Sequence, residues 1–265
     1  MKKINSPLPF WTYRVFTDLK NNFFGNTSAV IISEFALEDS LMQRIASDLW
    51  QPATTFLFKR DSEWHVRWFA PDEEIGLCGH GSLAAMTHLS QFTNEKIVIK
   101  SKGGIITGGK SGEKYFIYLD SIVVKDSITE NTILQEALGI PILEHYTTNN
   151  KNIVLTDSET SVRTMKPNFQ LLKSINYFGY AVTAKGDQCD FVSRTLVPHV
   201  NQLEDPATGS SHAALAPFWC KRLNKNKLEA NQLSARGGRF EINVNGNEVR
   251  LLGAAELIAH GELLP

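Results

Sequence analysis

The chain has 265 residues, 42% hydrophobic and 21% charged, with a formal net charge of −1. That length allows one large core or two ordinary ones, and the composition is globular rather than disordered. Balanced charge gives no field favouring nucleic acid or an anionic membrane. No window approaches the ~18 unbroken apolar residues of a membrane helix, and the basic start at residues 1–7 leads into no apolar signal region. Cys78, Cys189 and Cys220 are odd in number, far apart and without a CxxC, which argues against a disulfide framework or structural zinc and for a reducing cytoplasm.

In chain order, residues 13–17 and 29–32 read as short strands around an Asn/Gly turn region at 21–26. Ser40 and Gln43 have the spacing of a capping box, and Leu41, Ile45 and Leu49 recur at helical spacing with Met42 and Ala46 beside them. Residues 54–58 and 63–69 read as strands, the second alternating Trp64, Val66 and Trp68 against His65 and Arg67. A helix is expected over 83–92, then strands at 96–100, 104–107 and 115–119. Trp50, Trp64 and Trp68 read as core rather than as a binding platform.

The grammar then repeats. A helix over 132–138 carries a Thr132/Gln135 cap pair and closes on Gly139 and Pro141. Residues 153–155, 177–184 and 190–195 read as strands, and Pro167 suits the first turn of a helix reaching about Ser174. Asn245-Gly246 between residues 240–244 and 248–252 predicts a type I′ hairpin. No low-complexity linker separates the halves. The division expected is 1–120, then 121–257, with 258–265 as a tail returning to the first half.

The internal echo carries the functional argument. Arg67-Trp68-Phe69 and Ser193-Arg194-Thr195 each lead to a proline, an acidic loop, a glycine cluster and an Ala/Leu-rich helix. Cys78-Gly79-His80-Gly81-Ser82 thereby lines up with Thr208-Gly209-Ser210-Ser211-His212. Glycines at a helix start let backbone approach a ligand, and first-turn N–H groups lack intrahelical partners. Two such starts around one site would hold a carboxylate or enolate. His80 titrates near neutrality and suits proton transfer, Asp205 suits an amine or a proton, and Cys78 at a helix start can be a base or a small buried hydrophobe. Asp72-Glu73-Glu74 reads as a solvated loop from which one carboxylate can turn inward. His212 is expected to support the second turn, and Pro217 to distort the helix that follows.

These motifs, with Gly25-Asn26-Thr27-Ser28-Ala29-Val30, Leu77-Cys78-Gly79-His80 and Glu204-Asp205-Pro206-Ala207-Thr208-Gly209-Ser210-Ser211-His212, resemble the PhzF-like (phenazine biosynthesis-like) family over nearly the whole chain. The resemblance implies a mixed α/β fold of the diaminopimelate-epimerase type: two similar domains, each a β-barrel-like sheet around a central helix. It also implies an isomerase acting by proton transfer on a small carboxylated metabolite, a homodimer, and no metal or organic cofactor. His80, Asp205 and Ser210 would bind and polarise substrate, aided by Gly79, Gly81, Ser82, Gly209 and Ser211. The family's acid/base glutamate lies in S-E-T-[TA]-F; here the stretch is Gln51-Pro52-Ala53-Thr54-Thr55-Phe56, so Ala53 stands in its place. Gly81-Ser82 also replaces the family's usual A/P-T. A two-thiol racemase would need cysteine at both 78 and 208, and position 208 is threonine. Two alternatives remain: a catalytically silent binding protein, or a rewired enzyme using Cys78, His80 or a carboxylate at 72–74.

Overall fold

The computed structural model describes residues 6–264. Part of the basic start and Pro265 of the expected tail lie outside the described residues. The chain forms two compact units. One takes the chain up to Thr17, residues 26–118 and the chain from Leu252 on; the other takes residues 18–25 and 119–251.

The first unit runs β1 (Leu8–Thr17), β2 (Asn26–Ser33), α1 (Asp39–Leu49), β3 (Ala53–Arg60), β4 (Glu63–Phe69), β5 (Glu74–Ile75), α2 (Gly79–Leu89), β6 (Ile97–Ser101), β7 (Gly104–Ser111) and β8 (Lys114–Asp120). Parallel pairs β2–β3 and β4–β6 need long crossovers, and α1 and α2 supply them. The second unit runs α3 (Thr132–Leu138), β9 (Glu144–Tyr146), β10 (Asn152–Leu155), α4 (Glu159–Thr164), α5 (Phe169–Lys173), β11 (Tyr180–Lys185), β12 (Phe191–Leu196), β13 (Glu204–Asp205), α6 (Gly209–Leu223), β14 (Lys227–Gln232), β15 (Gly238–Asn245) and the first four residues of β16 (Glu248–Leu263), the rest of which belongs to the first unit. Its parallel pairs, β10–β11 and β12–β14, are bridged by α4 with α5 and by α6, repeating the first pattern strand for strand.

In the first unit the order β1-β2-β3-β4-β6-β7-β8-β16 closes on itself through β1–β16, giving an eight-stranded barrel. Helix α2 is buried along all eleven residues and packs against β1, β2, β3 and β7. Helix α1 packs Met42, Ile45 and Ala46 onto Ile31, Phe56 and Phe69. In the second unit, the sheet β9-β10-β11-β12-β14-β15-β16 receives α6, whose Trp219 stacks on Phe191 and whose His212 stacks on Phe240 at 3.7 Å. No helix among the described residues is long and apolar enough to cross a membrane.

Several local expectations give way to longer-range contacts. Neither proposed capping pair forms. Gln43 donates to the Ala70 carbonyl at 3.0 Å, and α3 is preceded by Asn131 with no side-chain cap. Pro167 precedes the cap of α5, which is Asn168, accepting from Leu171 N–H at 3.0 Å. Trp50 is exposed, because it closes α1 in the left-handed conformation at φ 49°. The hairpin turn is Gly246-Asn247, one residue later than expected, with positive φ at Gly246 alone; that is the pattern of type II′, not I′. Pro217 sits within α6 without ending it. Its ring removes the N–H that would bond the Ala213 carbonyl, and Ile122 N–H takes that acceptor at 3.0 Å.

Three of the four buried histidines among the described residues lie deep in these cores. His88 Nδ1 meets Tyr13 Oη at 3.0 Å, His145 lies between Asn131 and Asn152, and His212 Nδ1 meets the Thr208 carbonyl at 2.8 Å. Burial pushes each imidazole down to about 4. Unfolded histidine titrates near ~6.5, so between those values the unfolded chain binds protons the folded chain refuses, and stability falls as pH falls. Urea unfolding at pH 5 should show a free energy lower than at pH 7 by on the order of 2 kcal/mol or more. Equal stability at the two values would contradict neutral burial of these rings.

Candidate active site

Both glycine segments are entered by the same path. Strand β4 turns back as β5, pairing Trp68 with Ile75 and Phe69 with Glu74, before α2 begins. Strand β12 turns back as β13, pairing Thr195 with Asp205 and Leu196 with Glu204, before α6 begins. The residue before each helix has nearly the same backbone: Cys78 at φ −123°, ψ 102°, and Thr208 at φ −117°, ψ 100°. Each turn is braced by an arginine fork. Arg67 donates to both carboxylate oxygens of Glu74 at 2.7 Å, and Arg194 does the same to Glu204 at 2.7 Å. Such bidentate, charge-assisted pairs fix geometry as well as adding energy.

The fork also settles what Glu74 does. Arg67 holds its carboxyl below the usual carboxylate range, and Lys102 Nζ lies 2.6 Å away. Glu74 is therefore a charged brace rather than a poised base. A shallow cavity of about 150 Å³ opens beside it, edged by Trp68, Gly76 and Lys102.

At the start of α2, Cys78 caps the helix by accepting Gly81 N–H on Sγ at 3.3 Å, and Ser82 Oγ donates to the Cys78 carbonyl at 2.6 Å. The same sulfur lies 3.5 Å from His80 Nδ1 and 3.7 Å from Nε2, and His80 is buried. Thr55 Oγ1 reaches the Gly81 carbonyl at 3.4 Å and shares a hydrogen bond with Ser28 Oγ at 2.8 Å. Ala53, two residues before Thr55 on β3, lies on that same strand face and is fully buried beside Ser28 in the ladder. The first unit thus gathers Cys78, Gly79, His80, Gly81, Ser82 and the face carrying Ala53.

At the start of α6, Thr208 N–H donates to Gln232 Oε1 at 2.8 Å, while Gln232 Nε2 donates to the Asp205 carbonyl at 2.5 Å and Thr208 Oγ1 at 3.1 Å. Ser211 Oγ accepts from Thr195 at 3.0 Å, and His212 holds the turn through the Thr208 carbonyl. Ser210 Oγ accepts from Lys151 Nζ at 3.1 Å. The second unit thus gathers Asp205, Gly209, Ser210 and Ser211 with two residues the sequence did not single out, Gln232 and Lys151. Gln232 ends the distant strand β14 and Lys151 lies in a turn just before β10, so neither falls within the motif's spacing. Among the described residues no three His, Cys, Asp or Glu side chains cluster as metal ligands.

The model of the phenazine biosynthesis-like protein family matches residues 13–261. The chain belongs to that family. It is 37% identical to an uncharacterized isomerase of Pseudomonas aeruginosa, over 91% of this chain and 93% of that protein. It superposes with a TM-score of 0.91 on the crystal structure of a PhzF family protein of Enterococcus faecalis, 34% identical, covering 98% of this chain and all of the other. A hydroxyproline epimerase of Agrobacterium vitis shares the fold alone, with a TM-score of 0.63 at 10% identity over 98% of this chain and 93% of the other.

Two outcomes follow from the geometry. A Cβ at Gly81 would lie 2.6 Å from the Trp68 ring and 2.8 Å from Thr55 Oγ1, whereas one at Gly76 would meet nothing within 4 Å. Gly81→Ala should lower stability by about 1–3 kcal/mol despite alanine's better helix propensity, while Gly76→Ala stays near neutral; paired chemical melts test this. Glu204→Gln removes the negative charge of the second fork and one of its two acceptor oxygens, and should cost about 1–2 kcal/mol, read by the same melts.

Proposed function

We propose that the chain is an isomerase that moves a proton on a small carboxylated metabolite, with His80 as the proton-handling group. The observation that carries this reading is the start of α2: a buried imidazole held against the Cys78 thiol, one residue from the glycine amides of the first turn. The helix start suits an anionic substrate group through its positive dipole end and the first-turn donors other than Gly81 N–H, which Cys78 Sγ takes. In this reading Gly79 meets substrate at α2, while Gly81 and Ser82 shape the turn through Cys78. Asp205, Gly209, Ser210 and Ser211 serve the same substrate class from α6. The relatives named as isomerases, and the family membership, support the reaction class. The family resemblance further supports a homodimer working without metal or organic cofactor. The three scattered cysteines support the cytoplasm.

Ala53 sets the rate expected. It occupies the position of the family's glutamate, and a methyl group neither gives nor takes a proton. General acid–base catalysis contributes ~10²–10⁴-fold, so the native protein should be slow. A carboxyl placed there would be buried, which raises its pKa toward neutrality and suits proton exchange. Deuterium wash-in from D₂O into amino and aromatic acids, followed by NMR, reads this directly. Slow exchange in the native protein should disappear in His80→Ala and rise about 100-fold or more in Ala53→Glu. Exchange unaffected by His80→Ala removes His80 from the mechanism. Ala53 also favours a second reading, a silent binding protein; that reading holds if neither native protein nor Ala53→Glu exchanges while a ligand still binds.

A further inference from the structure

Lys151 is a buried cation that the motif reading did not find. It stands at the end of a tight turn just before β10, where Thr148 Oγ1 accepts Asn150 N–H at 2.9 Å and donates to the Lys151 carbonyl at 2.9 Å. Its stem passes Gly179, and only 7% of the residue is exposed. The ammonium lies 5.4 Å from the centre of the Phe178 ring and donates to Asn150 Oδ1 at 2.8 Å and Ser210 Oγ at 3.1 Å. Among the described residues Lys151 is the partner of the Ser210 hydroxyl.

The direction of that bond has a consequence. An ammonium has three protons and no lone pair, so in this contact it is always the donor. Ser210 Oγ must accept, which leaves its own proton to be given to something else. The oxygen keeps a second lone pair, but the positive charge behind it disfavours a cationic amine and favours an anionic oxygen, to which the hydroxyl donates. Burial strengthens the preference, because the charge is poorly screened there.

We propose that Lys151 is a positioning residue that acts through Ser210, fixing its hydroxyl as a donor and making this part of the site selective for a carboxylate. The inference rests on the reading of Ser210 as a ligand-binding residue. Lysine at 151 would then decide the sign of the substrate group seated there, while His80 decides the proton chemistry elsewhere.

The probe is benzoate, with neutral benzamide as its control, titrated calorimetrically into the full-length native protein and variants at pH 7. The native protein should bind benzoate in clear preference to benzamide. Lys151→Met should weaken benzoate at least about tenfold and leave benzamide unchanged, and Lys151→Arg should recover part of the loss. Ser210→Ala should weaken benzoate as well, and the double variant should lose little more than either single one, because the two act as a unit. No preference for benzoate in the native protein overturns the proposal, as does full preference in Lys151→Met. Should Lys151→Met fail to fold, Lys151→Arg and Ser210→Ala decide: equal benzoate affinity in both and in the native protein overturns it. Loss in Ser210→Ala with none in Lys151→Met sinks the role of Lys151 alone. Loss in neither sinks the reading of Ser210 too. Proton exchange by His80 is read separately and is untouched by either result.

Discussion

Helix α2 has no face to offer water. All eleven residues from Gly79 to Leu89 are buried, so its polar atoms can be answered only from inside the protein, and His88 Nε2 has no partner there among the described residues. Ser82 and Thr87 turn their hydroxyls back onto carbonyls one turn earlier, and His88 is answered by Tyr13. Where the barrel wall comes closest, glycine provides the room: Gly81 lies under the Trp68 ring, and Met86 presses against Gly108 of β7. A surface helix of the same length would need an apolar stripe and a polar face. This one instead needs a closed sheet around it, and the barrel meets that need. The single stretch where its backbone donors are not consumed by the helix itself is the beginning, and chemistry concentrates there.

The second unit solves the same problem with different residues. The order of strands, the returning two-residue strand, the arginine fork and the backbone at the cap all recur, whereas the side chains at the helix start do not. Ladder positions equate Ile75 with Asp205, Cys78 with Thr208 and His80 with Ser210. The brace is the common part and the chemistry is the variable part. A duplicated scaffold can keep two identical turns and still present an imidazole with a thiol at one and a hydroxyl backed by an ammonium at the other.

Short-range patterns were readable where they act alone. Strand β4 matches its alternating stretch, 63–69, and α3 matches 132–138, because periodicity and a terminal glycine suffice there. They misled where a distant group competes for the same atom. Gln43 looks like the second half of a capping box but has a better-placed acceptor in Ala70, contributed by the end of β4. Pro217 looks like a helix breaker until Ile122, nearly a hundred residues earlier, takes the orphaned carbonyl. The site shows the same division. Cys78, His80, Asp205 and Ser210 sit in motifs and were visible as such. Gln232, which ties the second turn together, lies at the end of β14, and Lys151 lies before β10; each is an ordinary polar residue in an ordinary sequence context.

The long strand β16 has a bearing on how the protein is made. Its first four residues belong to the second unit and the remainder to the first, where they close the barrel against β1, from Leu8 opposite Leu263 to Thr17 opposite Ala254. Strand β1 therefore waits for a strand made more than two hundred residues later. Through the synthesis of more than a hundred intervening residues, β1 carries an edge with no partner, and such edges invite pairing with other chains. Contacts so far apart in sequence are also slow to form, since the whole loop between them must be closed. Without β16 most of the residues would be in place and the first unit would still be an open sheet, so a single strand decides between a barrel and an exposed edge.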